Sequence, residues 1–171
     1  MKRRHLQAAL ALLAGCATDA TTKATPPLLL ISLDGFRWDY CALHPAESPH
    51  LRQLQAEGCS ARALIPVYPS NTFPNHYSIV TGLYPAHHGI INNDLFDAQL
   101  GAFFHYKSPL SSRDARWWGG EPLWSTVIKQ GGRAMSMFWP GSEVEIGGVR
   151  PTEWRPFDDS FPIESRVQQV L

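Results

Sequence analysis

The sequence has few cysteines, no net charge and no long apolar run. It contains 3 cysteines in 171 residues, and its 15 basic residues are balanced by 15 acidic ones. Lys and Arg form no run after the first positions, which argues against an extended basic surface that binds nucleic acid. If the protein binds a phosphate group, we therefore expect a few neighbouring residues to hold it. The spacing of Cys41 and Cys59 lacks the pattern of a structural zinc site, and whether the two form a disulfide stays open.

The amino terminus has the features of a targeting segment. Residues 2–4 are basic, and the apolar stretch over residues 6–13 is too short to span a bilayer. Two small residues and Cys16 follow, a pattern that resembles the bacterial lipobox, in which cleavage leaves the cysteine as the lipid-modified first residue. We therefore expect a lipoprotein-type signal peptide over 1–16 and a protein anchored by lipid in the bacterial cell envelope, facing the periplasm or in the outer membrane. The alternative is an ordinary signal peptide with an incidental cysteine.

The rest of the chain reads as one globular domain behind a tether. Residues 17–27 are rich in Thr, Ala and Pro, and a hydrophobic content of 44% is enough for a core. The run over 28–33 is apolar without alternation, which is typical of a strand buried on both faces of a parallel sheet. Pro74 and Gly82 predict a helix between them that places Thr72 at or just before its amino terminus.

The remaining pattern predicts alternating strands and helices. We expect loops and a short hairpin over 84–112, and the other elements are a short helix between Pro49 and Gly58, a strand over 61–67, a helix over 121–130, a strand over 133–139 and a helix from residue 163 onward. This order predicts an α/β fold with a doubly wound, mostly parallel sheet. The final helical pattern has no cap, so the chain is expected to be cut within a helix and its sheet to be incomplete.

Two candidate catalytic residues lie at the ends of predicted strands or helices. Asp34 follows an apolar run, where a carboxylate is costly unless it is paired or binds a cation, although Asp-Gly is also a common turn. Thr72 is a weak nucleophile unless a base or a cation activates it, and a helix amino terminus suits a phosphoryl group. The alternative for Thr72 is a simple helix cap.

A third candidate is Asn93. Its amide can donate to a non-bridging phosphate oxygen without adding charge, whereas the competing interpretation is a turn asparagine. The histidines His76, His87 and His88 are left out of the metal site, because lone histidines are more often surface or packing residues.

Four ordered motifs then resemble the nucleotide pyrophosphatase/phosphodiesterase family of the alkaline phosphatase superfamily. They are Leu33-Asp34-Gly35-Phe36-Arg37, Pro69-Ser70-Asn71-Thr72-Phe73-Pro74-Asn75-His76-Tyr77, Thr81-Gly82-Leu83-Tyr84-Pro85-Ala86-His87-His88-Gly89-Ile90 and Trp117-Trp118-Gly119-Gly120-Glu121-Pro122-Leu123-Trp124. The resemblance covers nearly all of 28–171 and implies that this range is the amino-terminal part of a phosphodiesterase domain with an alkaline-phosphatase-like fold.

The resemblance also implies a reaction and a site. It implies two zinc ions and hydrolysis of phosphodiester or pyrophosphate bonds, in nucleotides or related diesters, through a phospho-threonine intermediate. Asp34 would be a ligand of one zinc, Thr72 the nucleophile on the same zinc, and Asn93 the partner of a phosphate oxygen. Phe73 would face a nucleobase or other leaving group. Trp154, or else Phe157, would be a second stacking aromatic, with core packing as the alternative for either.

One departure from the family pattern limits these expectations. The family completes its zinc shells with further Asp and His residues, including Asp-His pairs, and this chain contains no Asp-His dipeptide and no plausible set of ligands after Asn93. Asp34 and Thr72 supply one incomplete shell, so the chain is expected not to hold its metals tightly and to be inactive alone. The alternative is a non-catalytic or degenerate lipoprotein of the same fold. A sulfatase is disfavoured, because it needs Cys or Ser, Pro and Arg where Thr72, Pro74 and His76 stand.

Overall fold

The computed structural model describes residues 26–171. The predicted signal peptide, its Cys16 and most of the tether therefore lie outside the described residues. The chain divides into two units, Met1–Ile31 and Ser32–Leu171. In the first unit, the described residues form no helix or strand and are exposed to solvent. The second unit contains every helix and strand that the structure describes.

The second unit mixes short helices with two small sheets. The helices are α1 (Tyr40–Leu43), α2 (Pro49–Glu57), α3 (Thr72–Thr81), α4 (Pro85–His88), α5 (Pro109–Ser112), α6 (Leu123–Lys129) and α7 (Ile163–Val170), with a 3-10 turn at Ala115–Trp117. The strands are β1 (Asp94–Asp97), β2 (Ala102–His105), β3 (Met135–Met137) and β4 (Glu153–Arg155). Within residues 26–171, no helix is both long enough and apolar enough to cross a bilayer.

The two sheets differ in direction. Strands β1 and β2 form an antiparallel hairpin in which Leu95 lies opposite Phe104, which confirms the hairpin expected in the stretch 84–112. Strands β3 and β4 are parallel, with Ser136 opposite Trp154, and β3 confirms the strand expected over 133–139. A parallel pair needs a crossover connection, which residues 138–152 supply.

Two other predicted strands are wrong. Residues 28–33 and 61–67 have no strand structure, and their apolar side chains are exposed, for example Leu28 at 86% and Ile65 at 87%. An apolar run forms a strand only where a neighbouring strand accepts and donates its backbone hydrogen bonds, and none of the strands in the described residues pairs with either run. The apolar composition of both segments indicates a propensity for β-strand, but it does not show whether a partner strand lies beside them.

The predicted helices are confirmed, because local end signals set them. Helix α2 begins at Pro49 and ends before Gly58, as expected from a proline in the first turn and a terminal glycine. Helix α3 ends at Gly82, whose φ of 67° is the left-handed conformation that glycine adopts without strain. Helices α6 and α7 lie within the ranges predicted for them.

The core is an aromatic cluster between α3, the β1–β2 hairpin and the loop that precedes α6. Its members are Tyr77, Val80, Ile90, Phe104, Trp117, Trp118, Trp124, Val144 and Ile146. Tyr77 is fully buried, its ring lies edge-on to those of His88 and Trp118 with centroids 4.9 Å away in each case, and its hydroxyl donates to the carbonyl of Gly119 at 2.9 Å. Burial raises the pKa of the Tyr77 hydroxyl, which therefore stays neutral.

A close backbone contact completes this cluster. Gly141 has a φ of 88°, and a Cβ at this position would lie 2.9 Å from the ring of Trp118. The chain can pass this close to the indole only without a side chain. The turn at Gly141 therefore packs directly on the aromatic core beneath α3.

His88 is a fully buried imidazole with a defined tautomer. Its Nδ1 accepts from the N–H of Ile90 at 3.2 Å, so Nε2 carries the proton and donates to the Ser78 hydroxyl at 2.9 Å. Burial lowers the pKa of His88 below its usual range, because the charged form loses its solvation. The imidazole is therefore neutral in the fold.

This burial predicts a pH dependence of stability. In the unfolded chain a histidine binds a proton below about pH 6.5, while the folded His88, whose pKa is lowered, binds it only at a lower pH, so the free energy of unfolding falls as the pH drops through that value. Chemical denaturation from pH 8 to pH 5 measures this slope. His88→Asn lowers stability by about 1–3 kcal/mol, because it leaves buried partners unsatisfied, and it flattens the slope.

The neighbouring His87 provides the matched control. It is exposed, so His87→Asn is expected to keep both the stability and the slope. An unchanged slope in His88→Asn would contradict the assignment of the pH dependence to the buried imidazole.

Candidate active site

The site is built around the amino terminus of α3. Asn71 is extended, with φ of −96° and ψ of 158°, and Thr72 is the first helical residue. Pro74 lies in the first turn, where its missing N–H costs nothing because the helix leaves that donor unpaired. Asn75 secures the incoming chain, since its amide donates to the carbonyl of Asn71 at 2.8 Å and its oxygen accepts from the N–H of Val67 at 2.8 Å.

Asp34 and Thr72 are in direct contact. The Thr72 hydroxyl Oγ1 donates to Asp34 Oδ2 at 2.9 Å, although the residues are 38 positions apart. Asp34 is exposed and stands in a turn, in which the N–H of Phe36 donates to the carbonyl of Leu33 at 3.3 Å and Gly35 has a φ of 68°. A hydroxyl that donates to a carboxylate is the arrangement of a nucleophile beside a base.

Asn93 contacts the same helix turn from the other side. Its Oδ1 accepts from the N–H of Phe73 at 3.0 Å, which satisfies a donor that the start of α3 would otherwise leave free. With the oxygen used in this way, Nδ2 has no hydrogen-bond partner among the described residues. The amide donor that the sequence assigned to phosphate is therefore available.

A short amide chain supports Asn93. Asn92 Oδ1 accepts from the N–H of Asn93 at 2.8 Å and from Asn71 Nδ2 at 2.5 Å. The carbonyl of Asn93 in turn accepts from the N–H of Tyr106 at 3.0 Å, which ties it to the base of the hairpin. The spacing of adjacent asparagines in the sequence carries no sign of this bridge.

The two predicted aromatic contacts lie in different surroundings. Phe73 is half-buried and packs against Phe104, Tyr106 and Trp118, with centroid distances of 5.9, 5.5 and 6.0 Å. Trp154 lies on β4 with the Arg150 guanidinium 5.4 Å from its ring. Within the described residues, no aromatic or hydrogen-bonded contact joins Trp154 to Thr72, Phe73 or Asn93. Their roles in substrate binding therefore stay predictions.

Phe157, the alternative aromatic, is more exposed than Trp154, at 62%. Its ring lies edge-on to Phe138 at 5.3 Å, and its N–H donates to Glu143 Oε1 at 2.7 Å. Glu143 Oε2 accepts from Arg113 at 2.5 Å. The predicted stacking position thus has two candidates, of which Phe157 presents the larger free surface.

The donor set fits part of a metal shell. Asp34 and Thr72 bring two oxygens together, whereas zinc takes three or four protein ligands. Among residues 26–171, no three His, Cys, Asp or Glu side chains come together as ligands for one ion. These residues therefore do not form a complete zinc centre by themselves.

The chain matches a known family over most of its length. A profile of type I phosphodiesterase/nucleotide pyrophosphatase matches residues 28–171. The venom phosphodiesterase of Macrovipera lebetinus is 46% identical over 145 residues, which are 85% of this chain and 17% of that protein. Human ectonucleotide pyrophosphatase/phosphodiesterase family member 1 is 46% identical over 147 residues, or 86% of this chain and 16% of that protein.

Solved structures show the same fold. The inactive threonine-to-alanine variant of murine ectonucleotide pyrophosphatase/phosphodiesterase 5, in complex with AMP, superposes with a TM-score of 0.76 at 34% identity, over 81% of this chain and 37% of that one. The human member 5 superposes with a TM-score of 0.73 at 33% identity over the same shares. These neighbours confirm the alkaline-phosphatase-like α/β fold class predicted from the sequence.

The match is long in this chain and short in its relatives. The chain spans less than a fifth of the length of the curated relatives described above and 37% of the solved ones. The profile covers the segment that carries Asp34, Thr72 and Asn93. On these findings, the chain belongs to the type I phosphodiesterase/nucleotide pyrophosphatase family.

Proposed function

We propose that the protein hydrolyses phosphodiester or pyrophosphate bonds with Thr72 as the nucleophile. The observation that carries this proposal is the Thr72 hydroxyl, which stands at the amino terminus of α3 and donates to Asp34 at 2.9 Å. A hydroxyl directed by a carboxylate, at the positive end of a helix dipole, is suited to attack phosphorus. The family membership supports the reaction class.

The residues divide the reaction between them. Thr72 Oγ1 forms a bond to phosphorus as the bond from phosphorus to the leaving oxygen breaks, and the Thr72 proton passes through solvent to the leaving oxygen. Asp34 orients the Thr72 hydroxyl and would also be a ligand of the zinc ion. Asn93 Nδ2 donates to a non-bridging oxygen as its charge rises in the transition state. Water then attacks the phospho-threonine: its oxygen bonds to phosphorus, the bond from phosphorus to Thr72 Oγ1 breaks, and a proton from the water restores the hydroxyl. This step releases a phosphomonoester.

Nucleotides are the substrate class that we propose. The AMP complex of murine member 5 supports a nucleotide site in that relative, and its inactive variant lacks a threonine. In this proposal Phe73, which follows the nucleophile and is half-buried, contacts a base or other leaving group, with Trp154 or Phe157 as the second aromatic.

Zinc dependence is part of the proposal. A zinc ion would stabilise the Thr72 alkoxide, and the ligands that the described residues do not supply would come from other parts of the enzyme. We therefore expect no turnover from the 171-residue chain alone. The alternative, a non-catalytic relative, is favoured by the incomplete donor set, and genomic sequence coding for Asp-His pairs in the same frame would exclude it.

Thr72→Ala is expected to lower kcat by at least about 1000-fold, because it removes the attacking oxygen. The measurement is hydrolysis of a p-nitrophenyl phosphodiester by the product of the complete open reading frame, with and without a chelator. Chelation is expected to abolish turnover, and added zinc to restore it.

Thr126→Ala is the matched control for this substitution. The Thr126 hydroxyl donates to Glu121 at 2.7 Å on an exposed part of α6, so the same chemical change there should leave kcat within about twofold. Turnover that survives both Thr72→Ala and chelation would reject the proposed mechanism.

Asn93→Asp separates the two roles of the side chain. The carboxylate keeps an oxygen for the N–H of Phe73 and removes the Nδ2 donor, so the fold is retained while kcat falls by about 100- to 1000-fold. Thermal denaturation checks the fold and steady-state kinetics check the rate. A variant with normal kcat would show that the amide does not contact the transition state.

The proposed location depends on residues outside the described range. The basic start, the short apolar stretch and Cys16 support export and a lipid anchor in the bacterial cell envelope. Expression in a bacterium followed by fractionation is expected to place the protein with membranes, and Cys16→Ser to release it. Cys41→Ser is the control and should stay with membranes, and equal fractionation of all three forms would contradict the anchor.

A further inference from the structure

His76 joins two segments of the site that are far apart in sequence. It lies one helical turn after Thr72, and its Nδ1 is 2.8 Å from the carbonyl oxygen of Thr72. Its Nε2 is 3.0 Å from the hydroxyl of Ser32, which lies two residues before Asp34. The imidazole therefore spans from the helix that carries the nucleophile to the turn that carries the carboxylate.

The two contacts determine the tautomer. A carbonyl oxygen can only accept, so the bond to Thr72 requires the proton on Nδ1. In the neutral ring Nε2 is then an acceptor, and it takes the Ser32 hydroxyl proton. Both ring nitrogens of His76 are therefore hydrogen-bonded within the protein.

Trp139 holds the imidazole in this orientation. Its indole Nε1 donates to the carbonyl of His76 at 3.0 Å, and its ring lies edge-on to the imidazole with centroids 5.4 Å apart. The backbone and the ring of His76 are thus both restrained from the same side. These contacts with Trp139 favour the ring orientation in which His76 reaches both of its partners.

We infer that His76 is a positioning residue that holds the Ser32–Asp34 segment against α3, so that the Asp34 carboxylate meets the Thr72 hydroxyl. The inference rests on the proposed function of Thr72. Both Asp34 and Ser32 are exposed and outside any helix or strand, so packing alone does not place them. Beside the Thr72–Asp34 bond itself, the hydrogen bond from Ser32 to His76 is the contact that ties this segment to α3.

The kinetic test uses His76→Asn and Ser32→Ala in the product of the complete open reading frame. Asparagine can still donate to the carbonyl of Thr72 and is too short to reach Ser32, so each variant breaks only the bridge. We expect kcat to fall about 10- to 100-fold with KM within about twofold, because the attack geometry loosens while substrate contacts stay. The double variant should be no slower than either single variant.

His50→Asn is the matched control, since His50 lies on the exposed side of α2 and should leave kcat and KM unchanged. Normal kcat in both bridge variants would overturn the inference, and so would additive losses in the double variant. Thr72→Ala distinguishes the two proposals. If Thr72→Ala is inactive while both bridge variants are fully active, only the role of His76 is contradicted. If Thr72→Ala is active, the proposed nucleophile is contradicted.

A second measurement is independent of activity. In nitrogen-15 NMR spectra of the 171-residue chain at pH 8, the His76 ring is expected to show a protonated Nδ1 and an unprotonated Nε2. Ser32→Ala should shift the Nε2 signal of His76 and leave that of His50 unchanged. A ring protonated at Nε2, or one that does not respond to Ser32→Ala, would contradict the bridge.

Discussion

The site depends on the burial of one face of α3. Tyr77 fills the core with its whole ring, and its hydroxyl is satisfied by the carbonyl of Gly119 at 2.9 Å. Complete burial of a large side chain stabilises a fold by about 1.5–3 kcal/mol. The edge-on contacts to His88 and Trp118 also favour one orientation of the Tyr77 ring. This anchoring fixes the position of the helix, and with it the first turn that carries Thr72.

The polar side of the site follows from the unpaired groups at a helix start. The N–H of Phe73 has no partner within α3, and Asn93 from the loop before the hairpin supplies one. The carbonyl of Thr72 accepts from His76 Nδ1 within the helix, and the Thr72 hydroxyl donates to Asp34 of another segment. Three separate segments therefore meet at the first turn of α3: the helix itself, the loop that carries Asn93 and the turn that carries Asp34.

Sequence reasoning succeeded where short-range signals decide the structure. A first-turn proline and a terminal glycine predicted α3, and the same kind of signal predicted α2. It failed for 28–33 and 61–67, because an apolar run shows the propensity for a strand and not the presence of a partner strand. His76 was left out of the metal site because lone histidines are more often surface or packing residues, and its contact with Ser32 is visible only in the structure.

The sequence by itself determined the family, the ends of α3 and the choice of Asp34, Thr72 and Asn93 as the residues to examine. Those conclusions rest on motif order and on local backbone preferences, both of which can be read along the chain. The tertiary structure alone decided that Asp34 and Thr72 stand 2.9 Å apart across 38 positions, and that the oxygen of Asn93 binds α3 while its nitrogen is left available. Contacts between distant segments depend on how the core packs, and no local preference encodes that packing.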